Sequence, residues 1–530
     1  MQLRQYHRVS SIKLRLIAAL LVACLALSIK VNLPARAISK DIPQGTVTAP
    51  ELVKEESVST YIPSESAPGD GIAVNIIIPE KPRYKDGAPV VVVVPGGDGP
   101  NGLTFTMHSA QVGCLEVRLA FPGGGVKGFM SSGIADYRGV ESQVALKDVL
   151  LFAAGKSTDN KGRHINDLVP MKVMTSDLGI VGWSNGGNIA LVTMARFADQ
   201  LGFISWLTFY ESPVGTFFFP PNLGGVADLL LNNHYRQGSA ASGKPLLDFN
   251  GLSWQEDMSR NPGVHKRQGE PELKGVIFYD DNHNHHWDES TEYAYSYLMD
   301  VGLEKQIYPM EILQYFDVKG SFVGMEEVKE RPKPGEKPPK LKRGEKPKPK
   351  PVKMRKVLKW PAVLATPREA EAYYQRRDGS LYVGQICSKY PDLMVTIVGT
   401  QIDHLQKQPD HPHIIYLYNA FLSNKLHWLR MNPEATYVSA IAQMHAANFI
   451  NNKPNESLDA STIADFMEPE GVTKDYVFME AAVAELCDRR RSKNLKSPLE
   501  QVIYTYTNSK AKPPPVKKGE STPGSASPKQ

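Results

Sequence analysis

The sequence predicts an α/β protein with a mainly parallel sheet flanked by helices, and three observations carry that expectation. Runs such as APVVVVV (88–94) are apolar at every position, the pattern of a strand buried on both faces. Such runs alternate with segments such as VESQVALKDVLLFAAGK (140–156), whose apolar residues recur at helical spacing. At 530 residues, 42% of them apolar, the chain can bury one large core and still carry appendages.

In chain order, residues 1–37 come first. Arg4, Arg8, Lys13 and Arg15 precede the apolar stretch LIAALLVACLALSI (16–29), and a small-residue site ends at Ala37. A basic region, an apolar region and an A-x-A site together form a secretory signal peptide, which implies a periplasmic or secreted protein. The apolar stretch is short for a membrane span, and Lys30 follows it directly. LVAC, ending at Cys24, also fits a lipoprotein signal that would place a lipid on that thiol. No later segment approaches 18 continuous apolar residues. Cys114, Cys387 and Cys487 remain after the leader, an odd set that frames no disulfide scaffold and is expected as buried thiols.

Residues 38–70 are polar and proline-containing and are expected as a lead-in. Strands are expected at GIAVNIIIP (71–79), APVVVVVPGG (88–97), GCLEVRLAFPGGG (113–125), LGIVGW (178–183) and FISWLTFYESP (203–213), with a helix at NIALVTMARFADQL (188–201). From 214 to 390 the regularity loosens into a cap or insertion. It contains a strand, a polar loop and a helix over 275–300, and a Lys/Pro strap at 329–356 expected as disordered or extended. DLMVTIVGTQ (392–401) returns to strand character and IIYLYNAFLSNKLHWLRM (414–431) reads as a helix. Residues 71–430 therefore form one domain, 431–508 a helical extension, and 509–530 a tail disordered by composition.

Charge is distributed unevenly. The formal net charge is +5, but residues 1–37 hold six basic and no acidic side chains, which leaves the rest near −1. The strap alone holds thirteen basic and three acidic residues, so everything else is near −11. An acidic body carries a basic strap. The strap is either a solvated spacer or a contact for a polyanion, an acidic glycan or a membrane surface. It has no interleaved aromatics, which argues against stacking on nucleic acid.

Gly182-Trp183-Ser184-Asn185-Gly186 has the form G-x-S-x-G between a strand and a helix. Glycines flanking a serine allow a sharp bend that leaves the hydroxyl exposed, the geometry of a nucleophile elbow. Ser184 is then the nucleophile, and the N–H of Asn185 at the helix start faces a developing oxyanion. The loop after an earlier strand, PGGDG, offers a second donor near Gly96 and Gly97. A serine needs a histidine to take its proton and an acid to orient that histidine. Asp403 follows a strand, and His404, His411 and His413 lie within ten residues of it.

From about 72 to 430 the chain resembles an α/β-hydrolase, nearest to dienelactone-hydrolase and prolyl-oligopeptidase types. GWSNGG is similar to the G-W-S-x-G-G elbow of the latter. The resemblance implies Ser184 as nucleophile, Gly97 and Asn185 as oxyanion donors, Asp403 as acid and a downstream histidine as base. Two departures stand out: a short gap from acid to histidine and a long insertion before the acid. Cutinase-like members share the short gap, and HPHIIY resembles their proline-led histidine before a helix. On that basis His413 is preferred as base, with His411 the alternative, His404 structural, and Asp410 and Asp281 fallback acids.

The loop DDNHNHHWDESTE places Asp280, Asn282, Asn284 and Asp288 at offsets 1, 3, 5 and 9 of a calcium loop. It resembles the D-x-N-x-N-G-x-W-D loops of bacterial surface proteins but has His285 at the glycine position and Thr291 at the bidentate glutamate, where Glu289 or Glu292 could substitute. A solvated polar turn is the alternative, and His283, His285 and His286 offer a zinc variant.

The reading is a secreted or periplasmic serine hydrolase acting on a small-molecule or glycan-linked carboxylic ester. It requires no cofactor for catalysis, with calcium in a structural role only. The alternatives are a prolyl-oligopeptidase-like peptidase, although no β-rich propeller segment precedes the domain, or a non-catalytic calcium-binding surface protein on a hydrolase scaffold.

Overall fold

The computed structural model describes residues 56–105, 107–212, 214–215, 232–239, 247–256, 275–300, 302–327, 354–399, 403, 408, 410–451 and 472–493. The leader at 1–37, most of the strap and the tail at 509–530 lie outside them.

Eight strands form one mixed sheet: β1 (Glu56–Ile62), β2 (Ile72–Ile78), β3 (Ala88–Val94), β4 (Leu115–Leu119), β5 (Val173–Trp183), β6 (Ile204–Tyr210), β7 (Met394–Val398) and β8 (Trp428–Met431). Their spatial order is β1-β2-β4-β3-β5-β6-β7-β8. Neighbours from β4 to β8 pair in parallel, and β2 runs antiparallel to both β1 and β4. The all-valine core of β3 is buried at each of its seven positions, as expected of a parallel strand covered on both faces.

Helices cover both faces. Residues of α1 (Val140–Ala153), α2 (Gly186–Arg196), α3 (Val383–Lys389) and α4 (Pro412–Ser423) share one apolar cluster with the sheet. Residues of α5 (Ala435–Asn451) and α6 (Val472–Ser492) share the other, where Val477, Val483 and Leu486 pack with Val91, Val181 and Trp206. Each face of the sheet thus buries its own apolar layer, the driving force for the sandwich.

Four expectations change. The lead-in at 38–70 contributes a strand, because β1 pairs in full register with β2 from Glu56↔Ile78 to Ile62↔Ile72. The helix expected over 414–431 ends at Ser423, and Trp428–Met431 instead joins the sheet beside β7. The expected extension at 431–508 supplies α5 and α6, the second layer of the sandwich. The helix expected after the 280s loop is absent: Leu298–Asp300 is a short strand paired with Lys305–Ile307.

The insertion has its own core. Tyr279, Tyr295, Ile307, Ile312, Phe316 and Tyr374 form a separate apolar cluster. The strap leaves and returns through a paired ladder, Val323–Glu327 against Met354–Leu358, so its two ends are held together.

Candidate active site

The carboxyl ends of the parallel strands gather the residues of interest, because consecutive loops leave the sheet there. Ser184 follows β5 directly, and its N–H donates to the Tyr210 carbonyl of β6 (2.8 Å). Its φ is +49°, a left-handed conformation that costs a non-glycine residue about 1–3 kcal/mol. The strain is therefore carried by the serine itself. The neighbouring glycines serve close approach: a Cβ on Gly186 would sit 2.1 Å from the Val94 carbonyl oxygen, and one on Gly182 2.6 Å from Gly187 Cα. Any larger side chain would push α2 off the sheet and move the hydroxyl.

The loop after β3 lies against this bend. A Cβ on Gly96 would come within 2.9 Å of Ser184 Cβ. Gly97 adopts φ +70°, and the Asn185 side chain donates from Nδ2 to the Gly97 carbonyl at 3.0 Å. Asn185 Oδ1 in turn accepts from Asn188 Nδ2 (3.1 Å). Both expected oxyanion residues thus meet beside Ser184, with Asn185 tying the elbow to the loop.

Asp403 and His413 come together as a buried pair. His413 lies in the first turn of α4, and its Nε2 is 3.0 Å from Asp403 Oδ2 with both side chains buried. The pair is at ion-pair distance, off the direction that an N–H···O bond requires. Neither ring nitrogen of His413 makes an aligned hydrogen bond, so the Ser184–His413 link is not formed in this structure. His411 caps the same helix in a left-handed conformation (φ +43°) and is buried. Burial lowers its pKa, partly offset by the nearby carboxylates of Asp403, Glu211 and Asp410, and the adjacent His413 lowers it further. A lowered value keeps the imidazole neutral at neutral pH, the state a general base requires.

The fallback acids are committed elsewhere. Asp410 accepts from the Tyr235 hydroxyl (2.6 Å) and the Gly238 N–H (2.7 Å), and Asp281 pairs with His234 at 3.3 Å. His404 lies outside the described residues.

One residue of this edge has no counterpart in the sequence reading. Glu211 immediately follows β6, is fully buried with φ +41°, and donates its N–H to the Val398 carbonyl of β7. It stands between Ser184 and the β7 loop and acts electrostatically on His411. The signal was an acid directly after a buried-type strand, FYES, the same signal that singled out Asp403.

In the 280s loop, Asp280 faces the His285 N–H and its ring Nδ1 (3.0 Å). Asn282 Oδ1 accepts from the Asn284 N–H, Asn284 Oδ1 from the His286 N–H, and Asp288 Oδ1 from Ser290. Glu292 accepts from the Asn282 and Asp288 N–H groups. His285, at the sixth position, takes φ +59°, so the turn usually made by glycine is made here by a histidine. Among the described residues no three His, Cys, Asp or Glu side chains converge as a metal-binding group, and His286 turns instead to Gln255 (2.9 Å).

No family model and no curated protein matches the chain. Solved structures similar to part of it include brefeldin A esterase, described as a bacterial homologue of human hormone sensitive lipase, at 15% identity over 34% of this chain and 46% of that one, with a TM-score of 0.23. Esterase Est22 is similar at 16% identity over 32% and 47%, with a TM-score of 0.24. A prolyl endopeptidase is similar at 15% over 32% and 23%, with a TM-score of 0.23. The chain thus spans about half the length of the esterases. Likeness at that level does not bear on activity, which has to be argued from the chain's own residues.

Proposed function

We propose that this chain is a serine hydrolase of the α/β-hydrolase type that cleaves a carboxylic ester. The observation that supports the reading best is Ser184, held in a left-handed conformation where a buried parallel strand turns into a helix, against a glycine loop from the neighbouring strand. Strain of this kind persists where the surrounding structure over-determines it, and it concentrates at functional bends.

In the proposed reaction the Ser184 hydroxyl attacks the ester carbonyl while His413 takes its proton, and Asp403 holds the imidazole. Active-site hydrogen bonds are commonly long before substrate binds, so the Ser184–His413 link closes in the complex. The oxyanion accepts hydrogen bonds from the N–H groups of Asn185 and Gly97, each worth on the order of 3 kcal/mol. The Asn185 N–H belongs to the first helical turn, whose donors have no partner within the helix. The alkoxide leaves with the proton from His413, and water repeats the sequence on the acyl-enzyme. His411, two residues away and neutral by burial, is the alternative base.

The signal-peptide pattern at 1–37 supports a site of action outside the cytoplasm, and among the described residues no helix is long and apolar enough to cross a membrane. Calcium at Asp280–Asp288 belongs to the same reading as a structural ion. Added calcium should raise the unfolding temperature, and an unchanged temperature would remove the ion from the account.

A fluorophosphonate probe tests the central claim. Folded protein should be labelled at Ser184, and Ser184→Ala should lose labelling and about 10⁴-fold or more of esterase activity. Well-folded protein that resists the probe would leave a non-catalytic binding protein as the better account. Acyl esters and short peptides assayed side by side separate esterase from peptidase.

A further inference from the structure

Arg138 is buried, only 3% exposed, yet no carboxylate is bonded to its guanidinium. Its Nη2 donates to two consecutive main-chain carbonyls, Pro95 at 3.1 Å and Gly96 at 3.2 Å. Nε and Nη1 have no hydrogen-bond partner, and the guanidinium lies over the Phe121 ring at 4.0 Å. Burying a cation this way is costly, and side-chain packing alone would be served better by an apolar residue. The backbone is strained here as well, with φ +53° at Tyr137 and +65° at Arg138.

The arrangement has a directional consequence. In a trans peptide the carbonyl and the following N–H point in opposite directions. A guanidinium that holds the Pro95 and Gly96 carbonyls therefore turns the Gly96 and Gly97 N–H groups away from itself. Gly96 of that dipeptide abuts Ser184. Asn185 fixes the next peptide through the Gly97 carbonyl. Two side chains thus set three successive peptide planes of the loop.

Arg138 is itself held in place. The Asp136 carboxylate caps the start of α1, accepting from the Gly139 (3.1 Å) and Glu141 (2.6 Å) N–H groups and from the Ser142 hydroxyl. Arg377, at the end of the insertion, donates to the Asp136 carbonyl (3.0 Å) and the Tyr137 carbonyl (3.1 Å). Burial lowers the Arg138 pKa and the Asp98 and Asp136 carboxylates oppose that, but a guanidinium holds its proton firmly enough to stay cationic at neutral pH.

We infer that Arg138 is a positioning residue that aims the oxyanion donors of the 95–97 loop, and that Arg377 connects it to the insertion. The inference rests on the hydrolase reading above. Its positive charge also lies close to the place where negative charge develops in the reaction, an electrostatic contribution that needs no direct contact with substrate.

The test compares wild type with Arg138→Met, Arg138→Lys and Arg138→Ala, using p-nitrophenyl acetate, a boronic acid inhibitor and the fluorophosphonate. Arg138→Met should lower kcat about 10²-fold with KM changed less than about threefold, and weaken boronate binding in parallel, since misaimed donors affect the tetrahedral state. Arg138→Lys should recover part of the loss, because an ammonium reaches one carbonyl at a time, and added guanidinium chloride should partly restore Arg138→Ala. Wild type that fails to react with the probe refutes the hydrolase reading itself. Wild type that reacts, with Arg138→Lys and Arg138→Ala matching it in kcat, overturns this inference alone. An equal loss in every folded variant, with no guanidinium rescue, also overturns it by reducing Arg138 to a packing role.

Discussion

Two polar groupings at opposite ends of the central sheet, one around Asp488 and one around Ser184, are built differently. At the amino ends of the parallel strands, Arg83 makes a two-pronged pair with Asp488 of α6 (2.8 and 2.6 Å), and the Tyr84 and Tyr437 hydroxyls donate to the same carboxylate. Trp206 Nε1 donates to Asp177 at 3.1 Å. Cys114 and Cys487 bring their sulfurs within 3.9 Å of each other in the same region. A cavity of about 480 Å³ opens here, lined by Lys81, Arg83, Tyr84, Gln111 and Asp488, and Arg83 and Asp488 of its wall are already paired with each other. At the carboxyl ends, Ser184, Glu211 and His411 hold left-handed conformations, two guanidinium nitrogens of Arg138 have no hydrogen-bond partner, and the Asp403–His413 contact is misaligned. Satisfied polar clusters fasten a fold together, whereas strained and incompletely bonded ones mark sites that bind or react. The contrast supports the proposal of chemistry at the carboxyl end, although a cavity opens at the other.

The largest effect is expected from breaking the carboxyl end. Asp403→Asn should lower kcat by about 10⁴-fold if the acid sets the orientation and tautomer of His413. His413→Ala should fall comparably and His411→Ala by less than about tenfold, all measured on unlabelled, folded protein. The reverse ranking of the two histidines would transfer the base to His411.

At the amino end the expectation is reversed. Asp488→Ala removes the partner of a mostly buried arginine and should cost about 2–4 kcal/mol in urea unfolding, with kcat per folded molecule unchanged. A loss of activity at retained stability would refute the division between the two ends.

The smallest effect sharpens the same comparison through pH. Burial pushes the Asp177 carboxyl up to about 6, against the lowering effect of the Trp206 hydrogen bond. A folded-state value above the ordinary 3.8 means that folding favours the protonated acid, so its stabilisation is complete below about pH 4 and lost as pH rises through about 6. Asp177→Asn should match wild type near pH 4 and exceed it above pH 6 by roughly 2–3 kcal/mol in chemical denaturation. Equal stability across that range would show that the carboxylate is better solvated than its burial implies.

Much of the proposed site is legible in the sequence because its signals are local. The elbow, the glycine loop and Asp403 each stand directly after an apolar strand, where alternation with helices forces the chain to turn. Glu211 carries the same signal, but no histidine lies near it in the chain to set it apart, as several do beside Asp403. Trp428–Met431 falls inside the helix expected over 414–431 because a four-residue run has no period of its own, and only pairing with β7 makes it a strand. Arg138 gave no signal, since the meaning of a buried cation lies in which carbonyls it meets.

By itself the sequence determined the alternation of strands and helices, the bend at Ser184 and the separation of the strap from the acidic body, because these follow from side-chain type at adjacent positions. Tertiary structure alone decided that β1 and α6 belong to the sandwich, that His413 faces Asp403 while His411 caps the helix, and that Arg138 sits under the loop beside Ser184. Each of these depends on groups far apart in the chain meeting in space, and burial, strain and unmatched donors come into existence only on that meeting.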